Sequence, residues 1–124
     1  AGVYVASEEG YNSYGVNNVT VTGGRITGAN YNPAIVHGAI MVYAGNPGQA
    51  VTGVSFTGIS ISGTPVSAER EIGLIQETGA TMSNIAFANI TIDPNSLWTF
   101  GSNVARSVYT ATGFVIGGVA TVMS

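Results

Sequence analysis

Three stretches of the sequence decide the fold: Val19–Thr27 (VTVTGGRIT), Val54–Ser62 (VSFTGISIS) and Ile85–Asp93 (IAFANITID). They align without gaps, and their first residues lie 35 and 31 positions apart. In each copy, apolar residues alternate with Thr, Ser or Ala, which is the period-two pattern of a strand with one buried face. The sequence therefore predicts the same short strand three times.

A corner follows the alternating residues in each copy. It falls at Gly23, Gly58 and Asn89, which are residue types that tolerate left-handed backbone. A second short strand begins after each corner. The side chains expected to point inward from these second strands are Ile26, Ile61 and Ile92. The repeated unit is thus a bent pair of strands.

Another strand precedes each bent pair. The three segments are Gly2–Ala6, Ala39–Tyr43 and Gly73–Glu77. We align Val5 with Val42, 37 residues later, and Val42 with Gln76, a further 34 residues along the chain. Each period then holds about three strands and no amphipathic helix, which argues against helical repeats of similar length.

Equivalent strands in successive repeats are expected to stack in parallel and in register, because one repeat alone cannot bury its apolar face. Val19, Val54 and Ile85 should then lie in one column. The prediction is an all-β parallel β-helix, a solenoid of about three to four coils. Residues 1–95 would form the coils and residues 96–124 an irregular capping segment. An antiparallel sandwich is the alternative, since it also uses short alternating strands, but it does not explain the recurring bent pairs.

The composition excludes several classes of protein. Apolar residues make up 45% of the chain and charged residues only 7%, with 18 Gly and no Lys, so helical bundles are disfavoured. Three Arg cannot supply the basic surface that nucleic acids require, and we expect no nucleic-acid partner. The apolar stretch 112–124 is shorter than the ~20 residues of a membrane-spanning helix, so no membrane association is expected. With no Cys and one His, neither a metal nor another cofactor is expected.

The segments Gly2–Glu8 (GVYVASE) and Val16–Ile26 (VNNVTVTGGRI) resemble the pectin-lyase-like superfamily of right-handed β-helices. Within it, the late coils of bacterial glycoside hydrolases of the α-1,3-glucanase and mycodextranase type look most similar. The resemblance implies a right-handed, single-stranded β-helix from a secreted enzyme that degrades polysaccharides. Such hydrolases use several Asp carboxylates, whereas this chain has only Asp93, so the catalytic groups are expected upstream of residue 1 or on a partner chain.

Six residues are candidates for binding a glycan substrate. They are Glu8, Glu9, Tyr11, His37, Tyr43 and Glu77. A glutamate is the group that glycosidases use as acid or base, and Glu77 is expected near Glu8 or Glu9 on a neighbouring rung. Tyrosine rings can stack on sugars, and the titration range of His37 suits proton transfer. For the glutamate pair a solvated turn, and for His37 a structural hydrogen-bonding role, remain the alternatives.

The expected function is that of the C-terminal β-helix portion of a secreted polysaccharide-degrading glycoside hydrolase, catalytically incomplete by itself. The alternative is a non-catalytic scaffold, adhesin or spike element that binds glycans or a partner chain. Open strand edges favour docking, so we expect the chain to associate with another chain or with upstream coils of the same protein.

Overall fold

The computed structural model describes residues 1–10, 14–29, 38–65, 70–93 and 98–123, and they form an all-β structure of three sheets. The first sheet contains β1 (Val3–Ser7), β4 (Ile40–Ala44), β7 (Arg70–Gln76) and β10 (Trp98–Ser102) in that spatial order. The second contains β2 (Val16–Thr22), β5 (Ala50–Thr57), β8 (Thr81–Ala88) and β11 (Tyr109–Thr112). The third contains β3 (Arg25–Thr27), β6 (Ser60–Ser62), β9 (Thr91–Ile92), β12 (Phe114–Ile116) and β13 (Val119–Thr121). Every third strand therefore joins the same sheet from β1 to β12.

The pairing within the sheets is parallel, except between β12 and β13, which run antiparallel. In the second sheet Val19 lies opposite Val54, and Val54 lies opposite Ile85. The predicted column of equivalent residues is thereby confirmed. An antiparallel sandwich is wrong, because the strands of each bent pair join two different sheets and each pairs with its equivalent in the next repeat.

The corners between the second and third sheets lie in left-handed backbone, as predicted. The φ angles are 73° at Gly23, 68° at Gly58 and 56° at Asn89. A fourth corner has the same conformation at Gly113, with a φ of 65°. Only residues that adopt positive φ at low cost fit these positions, so the corner sequence fixes where the chain passes from one sheet to the next.

The alignment of the first sheet needs a correction. Val5 does lie opposite Val42, but Val42 lies opposite Leu74 rather than Gln76, whose partner is Ala44. The error is two residues, which leaves the inward and outward sets unchanged. Alternation could not reveal it, because a shift of two residues leaves a period-two pattern unchanged.

Residues 98–123 are not irregular, contrary to the expectation for the segment 96–124. Strands β10, β11 and β12 extend the three sheets by one further strand each. The chain then turns back, and β13 pairs with the outer edge of β12. Arg106 supports this end: its guanidinium lies 4.3 Å from the centre of the Tyr109 ring and donates to the carbonyls of Tyr109 and Met123, at 2.6 and 3.2 Å.

The core lies between the three sheets, where inward side chains from successive strands stack on one another. Phe56 and Phe87 are stacked with ring centres 5.2 Å apart, and Phe114 meets Phe87 edge-on at 6.5 Å. A buried polar pair links Thr64, which follows β6, to Glu71 in β7. The Thr64 hydroxyl donates to the Glu71 carboxylate at 2.6 Å, and both residues are fully buried.

Candidate functional site

The outward face of the first sheet carries two tyrosines from neighbouring strands. In β1 and β4, Val5 and Val42 point into the core, so Tyr4 and Tyr43 point outward by alternation. Their ring centres lie 6.5 Å apart with the planes tilted by 38°. Together the rings form an aromatic surface at one end of the sheet.

Glutamates border this aromatic surface at the ends of the strands. The Tyr4 hydroxyl donates to Oε1 of Glu8 at 2.7 Å, and the Tyr43 hydroxyl donates to Oε1 of Glu77 at 3.3 Å. Glu8 follows the end of β1 and Glu77 follows the end of β7, and parallel strands in register bring these ends together. Two backbone bonds hold them there: Gly45 N–H donates to the Ser7 carbonyl and Glu77 N–H to the Ala44 carbonyl, both at 2.8 Å.

The pKa values of both phenols are raised, first by burial and further by these carboxylates. Burial raises the pKa of Tyr4 well above its ordinary value, and the hydrogen bond to Glu8 and its charge raise it further. Burial also raises the pKa of Tyr43, together with the charge and hydrogen bond of Glu77 and the charges of Glu8 and Glu9. Each hydroxyl is protonated at neutral pH, as in any tyrosine, and can donate to its carboxylate.

The tyrosines and glutamates enclose a continuous depression, which we call the tyrosine–glutamate cleft. It consists of two cavities of about 370 and 380 Å³ that share Glu8, Tyr43 and Glu77. The other residues lining the cleft are Tyr4, Glu9, Met41, Gly45, Pro47, Arg70, Ile75 and Thr78. Its volume is in the range of small-molecule sites, and it is open to solvent.

Gly45 has a specific role in shaping this cleft. A Cβ atom at this position would overlap the ring of Tyr43. The absence of a side chain lets the ring lie against the backbone after β4 and places its hydroxyl beside Glu77. The sequence therefore positions the aromatic surface by a glycine two residues along the chain.

Of the predicted binding residues, the structure brings Glu8, Glu9, Tyr43 and Glu77 into one cleft. The expectation that Glu77 lies near the glutamate pair is therefore confirmed. Adjacent strand residues point to opposite faces, but β1 ends before Glu8 and the chain turns at Glu9 and Gly10, so both glutamates reach the cleft. Tyr11 and His37 lie outside the described residues.

Sequence reasoning missed several lining residues, above all Tyr4, Met41 and Ile75. Their signal is the alternation itself, since each is an outward neighbour of an inward apolar residue on β1, β4 or β7. Outward apolar and aromatic side chains on three stacked strands mark a surface of this kind. Arg70, which also lines the cleft, begins β7 and carries no such pattern.

No family model, curated protein or solved structure matches the chain.

Two further observations concern the described part of the chain. Its titratable residues include no group of three His, Asp or Glu side chains placed to hold a metal ion. Among the same residues, no helix has the length and apolar character needed to cross a bilayer. The residues that line the cleft offer aromatic rings, carboxylate oxygens and one guanidinium for recognition.

Proposed function

We propose that the chain forms coils of a right-handed, single-stranded parallel β-helix that binds polysaccharide in the tyrosine–glutamate cleft. The observation that carries the proposal is the Tyr4–Tyr43 ring pair bordered by Glu8 and Glu77 on the outward face of one sheet. Aromatic rings stack on the apolar faces of sugars, and carboxylates accept hydrogen bonds from sugar hydroxyls.

The recurrence of three strands per repeat supports the β-helix part of this proposal. Strands β1–β12 join three parallel sheets in strict rotation, and short left-handed corners separate the second sheet from the third. This connectivity is what a chain winding repeatedly around one axis produces. In such a solenoid, loops and strand ends on one side carry the binding groups, as the cleft does here.

We further propose that the coils belong to a secreted polysaccharide-degrading glycoside hydrolase and supply part of its substrate-binding surface. The support is chemical: Glu8, Glu9 and Glu77 line one cleft, where their carboxylates can accept hydrogen bonds from substrate hydroxyls. The resemblance of Gly2–Glu8 and Val16–Ile26 to pectin-lyase-like coils favours the same interpretation. A non-catalytic, glycan-binding scaffold is the second candidate, and it requires only the aromatic surface.

The open end of the solenoid is the proposed docking site for another chain or for upstream coils. Within the described residues, β1, β2 and β3 each pair with a neighbour on one side only. Unpaired strand edges invite the addition of further strands. Self-association or a partner chain would appear as a mass above that of the monomer in light scattering, whereas a strict monomer at micromolar concentration would contradict it.

Binding is tested by titrating a panel of soluble oligosaccharides into the chain and following the heat or the tyrosine fluorescence. Tyr43→Ala should weaken binding about tenfold or more, because it removes one of the two stacking rings. Tyr14→Ala is the matched control, since Tyr14 is 83% exposed and lies outside the cleft. Equal binding by both variants would contradict the proposed site.

Hydrolysis separates the two candidate functions. If the coils belong to a hydrolase, the protein that contains them should release reducing ends from the bound polysaccharide, and the Glu8→Gln, Glu77→Gln double variant should slow this release. Binding without hydrolysis by that protein would favour the non-catalytic scaffold.

A further inference from the structure

The polar groups of the tyrosine–glutamate cleft are mostly acceptors, and this constrains what it binds. Each phenol donates its hydrogen to a carboxylate, Tyr4 to Glu8 and Tyr43 to Glu77. The phenol oxygens therefore present lone pairs to a ligand rather than hydrogens. A carboxylate has room for several hydrogen bonds, so Glu77 can accept from a ligand as well as from Tyr43.

The charge of the cleft also favours a ligand that supplies hydrogen-bond donors. Glu8, Glu9 and Glu77 contribute three formal negative charges, and Arg70 contributes one positive charge. Thr78 is the remaining polar side chain among the described residues that line it. A ligand that fits this surface supplies hydrogen-bond donors and positive charge, and it has a face that can lie against the rings.

We infer that the preferred ligand is a polysaccharide of unacetylated amino sugars, with its ammonium groups beside the glutamates. This inference rests on the proposed glycan binding and names the class of glycan. An ammonium donates three hydrogens and forms charge-assisted bonds with carboxylates. It is also attracted to the faces of tyrosine rings, and the ring pair lies between Glu8 and Glu77.

The same features disfavour other glycans. A uronic-acid polymer would bring carboxylates against three glutamates, which is repulsive. An N-acetylated polymer replaces the ammonium by a neutral amide and loses the charge-assisted bonds. A neutral glucan keeps only stacking and hydroxyl contacts.

The experiment titrates four oligosaccharides of equal length into the full chain at mildly acid pH, where the amines are protonated. The probes are oligomers of glucosamine, N-acetylglucosamine, glucose and galacturonate. The glucosamine oligomer should bind about tenfold tighter than the next best, the difference that one charge-assisted hydrogen bond supplies. Glu8→Gln and Glu77→Gln should each remove about tenfold of this affinity.

Asp93→Asn is the matched control, because it changes the net charge equally at an exposed position outside the cleft. It should leave the affinity for the glucosamine oligomer unchanged. If Asp93→Asn weakens binding as much as Glu8→Gln, the attraction comes from overall charge and the inference is overturned.

The outcomes distinguish the inference from the proposed function. If the glucose or N-acetylglucosamine oligomer binds as tightly as the glucosamine oligomer, the amino-sugar inference is overturned while glycan binding stands. If none of the four oligomers binds, both are overturned. Melting curves of the Gln variants that overlay the wild type establish that lost affinity reflects the cleft and not unfolding.

Discussion

The first repeat, β1–β3, and the second repeat, β4–β6, have equivalent sequences and very different burial. Val54 and Phe56 of the second repeat are completely buried, whereas their partners Val19 and Val21 in the first repeat are only partly buried. The second repeat has a neighbour on each side in all three sheets, and the first has a neighbour on one side among the described residues. Burial here is thus a property of the stack and not of the individual strand.

The largest expected difference lies in the phenylalanine column. Phe56→Ala should lower the free energy of unfolding by about 3–5 kcal/mol, because it removes a fully buried ring stacked on Phe87. Val21→Ala at the equivalent position should cost about 1 kcal/mol, since that side chain is already partly exposed. Urea denaturation of both variants measures the two values. Similar losses would contradict the dependence of burial on neighbours.

A buried hydroxyl can be compared with an exposed one. Thr64→Val should cost about 1–3 kcal/mol, because the fully buried Glu71 carboxylate loses the hydroxyl that bonds it at 2.6 Å. Thr20→Val in the first repeat should change stability by less than about 0.5 kcal/mol, since Thr20 is exposed and only accepts a 3.5 Å bond from Ser55. The midpoints of thermal unfolding should separate the two variants. A Thr64→Val variant with the melting temperature of the wild type would show that the pair does not stabilise the fold.

The isoleucines after the corners give a finer version of the comparison. Ile61→Val should lower the free energy of unfolding by about 0.5–1.5 kcal/mol. Ile61 is only 1% exposed, so removal of one methyl group leaves a cavity in the core. Ile26→Val should cost less than about 0.5 kcal/mol at the partly buried partner position. Chemical denaturation of the two variants in parallel tests this order, and a reversed order would contradict it.

The smallest effect concerns the outward tyrosines and appears only at alkaline pH. The pKa values of Tyr4 and Tyr43 are raised in the folded chain, so their contribution to stability is complete below the unfolded value of about 10 and falls as pH rises above it. Tyr4→Phe should therefore lose less stability than the wild type between neutral and strongly alkaline pH. Denaturant midpoints at the two pH values measure this difference, and equal losses would contradict the shift.

The sequence was sufficient to predict the second and third sheets. Strict alternation and a positive-φ corner fixed the register of Val19, Val54 and Ile85, because a slip of one residue would turn every apolar side chain outward. The first sheet was placed less well. A shift of two residues keeps the same side chains facing inward, so alternation alone does not distinguish Leu74 from Gln76 as the partner of Val42.

The fourth repeat was missed for a different reason. Tyr109–Gly113 (YTATG) has the same pattern as Val19–Gly23 (VTVTG), and β11 does pair with β8. However, Tyr109 follows its partner Ile85 by only 24 residues, against 31 and 35 for the earlier repeats. A search for a constant period therefore passes over a repeat that the residue pattern itself indicates.

The candidate site could be predicted only in part. Stacked strand ends brought Glu8 and Glu77 together as expected, because in-register pairing follows from the repeats. The outward position of Tyr4 follows from alternation, but the way the Tyr43 ring lies across Gly45 beside it does not, because such side-chain packing is not encoded in any periodicity. Repeats thus predict which residues share an edge of the sheet, while the shape of the cleft depends on packing.

The most direct test of the account measures contacts between backbone protons by nuclear Overhauser spectroscopy. In-register parallel stacking predicts contacts from the strand around Val54 to Val19 on one side and to Ile85 on the other. Contacts that instead join strands adjacent in sequence as antiparallel hairpins would contradict the stack, and with it the cleft that the stacked strand ends create.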